Sequence, residues 1–140
     1  MGRHVITSVV VAVYLFFIEF LFHAVILKGQ YEGLEHMLRP EGENPAMFFS
    51  LLIIAYLIAG FLLTHVFGRG YQGRGIGEGV RFGLLMGVLL AVPSNLINYA
   101  VQPWPGSLVA MWIIGYIIEF AIAGVIIAAM YKPSASPAAA

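Results

Sequence analysis

Four apolar stretches, residues 5–27, 46–67, 80–101 and 107–131, divide this chain, and each exceeds the roughly 20 residues a helix needs to cross a hydrocarbon core. Within such a core no water satisfies open backbone groups, so helices or a closed barrel are the only spanning structures. The stretches lack the alternating pattern of barrel strands, and helices are expected. Of the 140 residues 61% are hydrophobic and 10% charged. A soluble domain has about 45–50% and about 25%. The expected fold is therefore an all-α four-transmembrane-helix bundle occupying residues 1–132, followed by a low-complexity, disordered tail at 133–140. The short basic start, Met1 to Arg3, precedes a run too long for a signal-peptide h-region, so it is read as a retained first span.

Basic residues give an expected orientation. Arg69, Arg74 and Arg81 cluster around the second loop, Arg3 precedes span one, and Lys132 ends span four. The first loop instead mixes Lys28 and Arg39 with Glu32, Glu35, Glu41 and Glu43. Both termini are expected in the cytoplasm, in a multi-pass protein of the cell (inner) membrane, with the three arginines against lipid headgroups. Trp104 and Trp112 at the outer face and Tyr71 and Tyr131 at the inner face fit interfacial belts. In the first loop Tyr31, Leu34, Met37 and Leu38 recur at helical spacing, so it is either a short surface helix or a plain connection. Pro45 suits the first turn of span two, Pro133 follows span four as a stop, and Pro93 should kink span three.

Small residues mark packing faces. Gly75, Gly79, Gly83, Gly87 and Ala91 stand at intervals of four, Gly60 lies between Tyr56 and Thr64, and Gly115 and Ala123 flank Glu119. Such stripes let helices approach closely, either within one bundle or against a partner. Residues 68–73 spell a dinucleotide-binding glycine motif, yet no strand precedes them, and that reading fails. Zero net charge gives no footprint for nucleic acid, and the absence of cysteine excludes disulfides and thiolate chemistry.

The candidate site lies in the polar interruptions. An ionisable group in mid-membrane costs about 2.5–3.5 kcal/mol or more, so it faces the protein interior and a partner. Glu19 and His23 share a helix face at i,i+4, and Asn95 and Asn98 share one at i,i+3. With Glu119, they can converge in the outer half of a bundle. His65 lies about 20 Å away along the membrane normal, and His4 and His36 fall outside the spans, which disfavours a bis-histidine haem. Metal binding by Glu19, His23 and Glu119 is an alternative, although the known di-iron pattern is Glu-x-x-His on two helices. No cofactor is expected otherwise. No serine or cysteine nucleophile sits beside a base, and the reading leans away from an enzyme. The cluster is then either a structural lock that fixes helix register or a proton-handling or ligand-binding site.

The stretch from Glu19 to Leu27 followed by Tyr31 resembles the first span of a family of small uncharacterised four-span bacterial membrane proteins. Residues 77–85 with Tyr99 and Pro103 are similar to its third span. The resemblance implies fold and membrane location only. The expected function is a non-enzymatic interaction or accessory subunit, packing through its glycine faces as a homodimer or in a larger membrane complex. A small proton-linked transporter or ligand-binding protein comes second, and a metal- or cofactor-dependent membrane enzyme third.

Overall fold

The computed structural model describes residues 2–40 and 42–131; the expected tail, Lys132 and Glu41 lie outside the described residues. Four long helices account for most of the chain: α1 (Gly2–Leu21), α2 (Pro45–Gly70), α3 (Ile76–Val101) and α4 (Gly106–Met130). No strand occurs among the described residues. All four helices, α1 together with the turn that extends it to Ile26, are long and apolar enough to cross a membrane. They run past the bounds expected from hydropathy. α1 begins at Gly2 and so includes His4, and α3 begins at Ile76, which puts Glu78 and Arg81 in its first turns.

Local chemistry explains the ends. The Asn44 side chain accepts a 3.0 Å hydrogen bond from the Met47 N–H, capping α2 with Pro45 at its first position. The turn from α2 to α3 is tied by Glu78, whose carboxylate accepts from the backbone N–H of Gln72 and of Arg74. Gly75 immediately before α3 has φ +67°, a conformation in which a side chain would be strained. α3 runs unbroken through Pro93. The Ser94 hydroxyl donates to the Leu90 carbonyl, one turn back and next to the carbonyl left without a donor by the proline.

The helices pack in the order α2, α1, α4, α3. The tightest pair is α3 with α4, and its cause is the glycine stripe. A Cβ at Gly79 would strike the Gly124 carbonyl, and one at Gly83 the Phe120 carbonyl. At Gly87 it would stand 2.9 Å from the Ile117 Cα. Gly60 of α2 meets the backbone of Ser8 and Ala12 on α1, and Gly115 meets the Phe22 ring. Ala91 and Ala123 are buried in the same interfaces. These small residues are thus occupied within the chain.

α2 lies along α1 and leans away from α3. It meets α3 near the terminal end, where Phe67 packs on Phe82 at 5.3 Å between ring centroids, with Tyr71 and Tyr131 around them. These two tyrosines pack on each other, with centroids 5.0 Å apart. Toward the other end a cleft opens between α2 and α3. The main core, Val11, Leu15, Leu63, Phe67, Ala123 and Ile127, fills the junction of α1, α2 and α4.

The first loop does not form an amphipathic surface helix. It folds into two 3₁₀ turns, Lys28–Gln30 and Glu35–Met37, and lays Tyr31, Leu34 and Met37 over a second core of Leu27, Trp104, Leu108, Val109 and Trp112. Its helical spacing is real, but Gly33 at φ +82° turns the chain between the two pieces. Glu35 accepts from the Gly33 N–H at 3.0 Å, and backbone hydrogen bonds hold its carboxyl below the usual range. Both tryptophans are buried under this loop.

If glycine contact holds α3 to α4, Gly83→Ala should destabilise the protein by about 1–3 kcal/mol through overpacking. Gly77→Ala, where a Cβ meets nothing within 4 Å, should be neutral or stabilising by up to about 1 kcal/mol. Denaturant titration in detergent, followed by circular dichroism, distinguishes the two.

Candidate functional site

The row Glu19, Leu15, Val11 and Ala12, Ser8, His4 descends one face of α1, because residues three and four apart share a face. That face is covered by α2 and α4, and it alternates in character: polar, apolar, polar. The carboxylates lie in its upper polar layer. Glu19 is 9% exposed and Glu119, arriving from α4, is 5% exposed. They stand at electrostatic range of each other. Tyr14 donates to the Glu119 backbone carbonyl at 3.2 Å, tying α1 to α4 at this level.

Above Glu19 the helix changes form. Phe22–Ile26 is a π-helical turn closed by a 2.8 Å bond from the Leu27 N–H to the Phe22 carbonyl. Such turns insert one extra residue and recur at functional positions. Here the turn carries His23. Its Nε2 stands 3.1 Å from Glu19 Oε2, and its Nδ1 is 2.5 Å from the Tyr31 hydroxyl of the first loop. Trp112 Nε1 reaches the same hydroxyl at 2.9 Å.

The proton positions follow from the donor inventory. An indole N–H only donates, so the Tyr31 oxygen accepts from Trp112. Tyr31 can then give its own proton to His23 Nδ1, which leaves the neutral imidazole protonated at Nε2, facing Glu19. The result is an ordered chain, Trp112 to Tyr31 to His23 to Glu19, leading from the loop into the bundle. Its last link is loose. The Nε2–H is out of line with Glu19 Oε2, although the ion-pair distance is short, and that buried oxygen has no other hydrogen-bond partner. The ion-pair distance therefore marks proximity, not a made hydrogen bond.

The structure brings Glu19, His23 and Glu119 into one region. Asn95 and Asn98 stand beside it. Asn95 donates back to the Ala91 carbonyl of its own helix at 2.9 Å rather than across to a neighbour. Together with Ser94 and Tyr116, the two asparagines line a cavity of about 300 Å³ against α4. Tyr116 links the two regions: its hydroxyl faces the Glu19 carboxylate and its ring lies 6.4 Å from His23. Among the described residues, no three histidine or acidic side chains stand close enough to share a metal ion. Arg69, Arg74 and Arg81 are exposed at the opposite end.

Sequence reasoning missed the tyrosines. Tyr14, Tyr56 and Tyr116 all stand within electrostatic range of Glu119. Their signal was position, since a tyrosine in mid-span, away from either interface, needs a buried partner for its hydroxyl. Also missed was a histidine pair. With α1 beginning at Gly2, His4 reaches His65 at 6.0 Å between centroids, next to Ser8. No family model, curated protein or solved structure matches the chain.

Tyr31, outside the helical spans, has its pKa raised above the ordinary 10.0, chiefly because burial disfavours the phenolate. A group whose folded value is raised contributes stability that is present below its unfolded value and lost as pH rises through the folded one. Stability should therefore fall at a pH above about 10 in the wild type. Tyr31→Phe removes that component and leaves Trp112 Nε1 and His23 Nδ1 without their shared partner, at a cost of about 1–3 kcal/mol near neutral pH. Denaturation midpoints measured across pH for both proteins check the two effects.

Proposed function

We propose that the chain is a multi-pass membrane protein that accepts a proton or a hydrogen-bond-donating ligand into the Glu19–Glu119 region from the side of its first loop. The termini and the turn between α2 and α3 are cytoplasmic in this reading. Its support is the exposed set Arg69, Arg74 and Arg81 at that end, where anionic headgroups would meet them.

The carrying observation is the hydrogen-bonded row from Trp112 through Tyr31 and His23 to an unpartnered, buried Glu19 oxygen. A purely structural lock would satisfy its buried atoms, since an unmade hydrogen bond in such surroundings costs about 1–3 kcal/mol. A relay instead leaves its terminal acceptor open. Below the carboxylates, Leu15, Val11, Leu63, Ala123 and Ile127 form an apolar floor, which separates the upper layer from His4 and Ser8. Access is thus from one side in this conformation. Proton transfer along the row balances when a proton arrives from the loop side at the Tyr31 oxygen. Tyr31 then passes its own hydroxyl proton to His23 Nδ1 while the Nε2 proton passes to the Glu19 carboxylate, which leaves the imidazole neutral and protonated at Nδ1.

A second reading, an accessory subunit, is favoured by α2. This helix packs closely on α1 alone, and only 11% of its spanning window is buried. A partner would dock on α2, because the glycine faces are already filled within the chain.

The relay predicts that an acid pulse on protein in nanodiscs raises the infrared carbonyl band of a protonated carboxylic acid. In Glu19→Gln that response should be lost. In His23→Ala it should slow by about 100-fold, the usual scale of a positioned general acid–base group. Folded variants that respond like the wild type would overturn the relay. A stoichiometric protein partner bound to wild type and lost with bulky polar substitutions on α2 would establish the second reading.

A further inference from the structure

The lower end of the interface between α1 and α2 holds a polar cluster that the relay does not use. The two helices run antiparallel and meet where Gly60 lets α2 lie against the backbone of Ser8 and Ala12. One turn further down on each helix, this register sets His65 of α2 beside His4 of α1, with ring centroids 6.0 Å apart. Phe61, one turn above His65, stacks on it at 6.0 Å and stands 5.3 Å from His4. Val11, Leu15 and Leu63 of the apolar floor lie between this cluster and the carboxylates.

The hydrogen bonds at His4 leave one of its ring nitrogens a free lone pair. The Ser8 hydroxyl donates to the His4 backbone carbonyl at 2.9 Å. Its single proton is then spent, so the 3.3 Å contact between its oxygen and His4 Nδ1 is made with the proton on the imidazole. Neutral His4 is thereby favoured as the Nδ1–H tautomer, and Nε2 keeps its lone pair. Nε2 is buried, and no described residue donates to it. His65 is too far away to do so. A direct hydrogen bond of about 2.9 Å between two imidazoles draws their ring centres to about 5 Å or less. Two imidazoles that share one metal ion, each nitrogen about 2.0–2.1 Å from it, keep their centres about 5–6.5 Å apart. The observed spacing falls within the second range.

We propose that His4 and His65 are the protein ligands of a first-row transition-metal ion of the zinc or copper class, which bridges α1 and α2 below the apolar floor. Water completes its coordination. The surroundings select the class of ion. Glu19 is the sole acid of α1, about 22 Å up the helix from His4, and α2 has none. With no carboxylate at hand, an oxygen-seeking cation such as Mg²⁺ or Ca²⁺ has nothing to bind, whereas neutral imidazole suits zinc and copper. Both histidines are only half-buried, so an ion reaches them without any opening of the bundle. The bridge ties the first turn of α1 to the last turns of α2, the helix with the fewest packed neighbours.

The test uses the full chain without an affinity tag, stripped with chelator in detergent micelles and titrated with Zn²⁺, Cu²⁺ or Mg²⁺ by isothermal calorimetry. The expected result is one Zn²⁺ or Cu²⁺ per chain and no response to Mg²⁺. His4→Ala and His65→Ala should each weaken Zn²⁺ binding by about 100-fold or more. His23→Ala and His36→Ala, with wild-type melting curves, should bind Zn²⁺ as the wild type does. Electron paramagnetic resonance of the Cu²⁺ form should show splitting from two imidazole nitrogens, and from one in either ligand variant. The wild-type nitrogen count decides the matter even where a variant fails to fold. Absence of stoichiometric Zn²⁺ binding overturns the proposal. So does binding that survives His65→Ala, which would place the ion on the N-terminal segment alone, or binding lost in folded His23→Ala or His36→Ala.

Discussion

Between apolar helices no water is available to complete a polar group's hydrogen bonds, and this constraint shapes the fold. Several short polar side chains in the helices turn back on their own backbone. Thr64 bonds the Gly60 carbonyl, Ser8 that of His4, and Ser94 that of Leu90. Asn95 does the same with Ala91. Such local bonds cost the helix little and leave its surface free to pack. The groups that escape the rule are few: Glu19 Oε2, His4 Nε2 and Trp104 Nε1 have no partner among the described residues. Glu19 is the most consequential of them, since a carboxylate has the largest desolvation penalty and lies at the end of a hydrogen-bonded row.

Close backbone contact supplies the rigidity this arrangement needs. Without a hydrophobic drive between helices in lipid, association depends on van der Waals contact, which falls steeply with separation. The glycine row on α3 brings it against α4 near Gly124, Phe120 and Ile117, and so holds α4 in the orientation that presents Glu119 to α1. α1 is the shared element. It receives Gly60 of α2 on one side and Tyr14 bonds α4 on the other, which sets Glu19 against Glu119. α2 has no such second clamp, and the cleft beside α3 is the consequence.

The four helices and their bounds to within a few residues were legible in the sequence, because hydropathy over twenty residues is a strong signal. The stripe at Gly79, Gly83 and Gly87 announced a close contact, though not that α4 would be the partner. Glu19, His23 and Glu119 were legible as candidates for the same reason that makes them costly. The rest depended on tertiary placement. Tyr31 lies in a loop whose helical periodicity pointed to a surface helix, and only the reversal at Gly33 delivers its hydroxyl to His23. Asn95 and Asn98 share a face in the sequence, yet the register of α3 against α4 turns that face to a cavity beside Tyr116 rather than directly to Glu19. His4 was assigned outside its span because the apolar run starts at Val5, whereas the helix starts at Gly2.

The direction of the hydrogen-bonded row has a structural origin that no single residue carries. His23 alone could hold its proton on either nitrogen, since the two tautomers differ little in water. Trp112 biases that choice from a distance, because its indole N–H takes up one acceptor site of the Tyr31 oxygen and so favours donation of the phenolic proton to Nδ1. The tautomer at the carboxylate is thereby favoured by an aromatic side chain of α4 through a residue of the first loop. The same two bonds tie that loop to the bundle. A displacement of the loop that breaks the Tyr31 contact would release both Trp112 and His23, and with them the preset orientation of the proton facing Glu19. Closure of the loop and readiness of the relay are therefore one event in this fold, linked by a single phenolic oxygen.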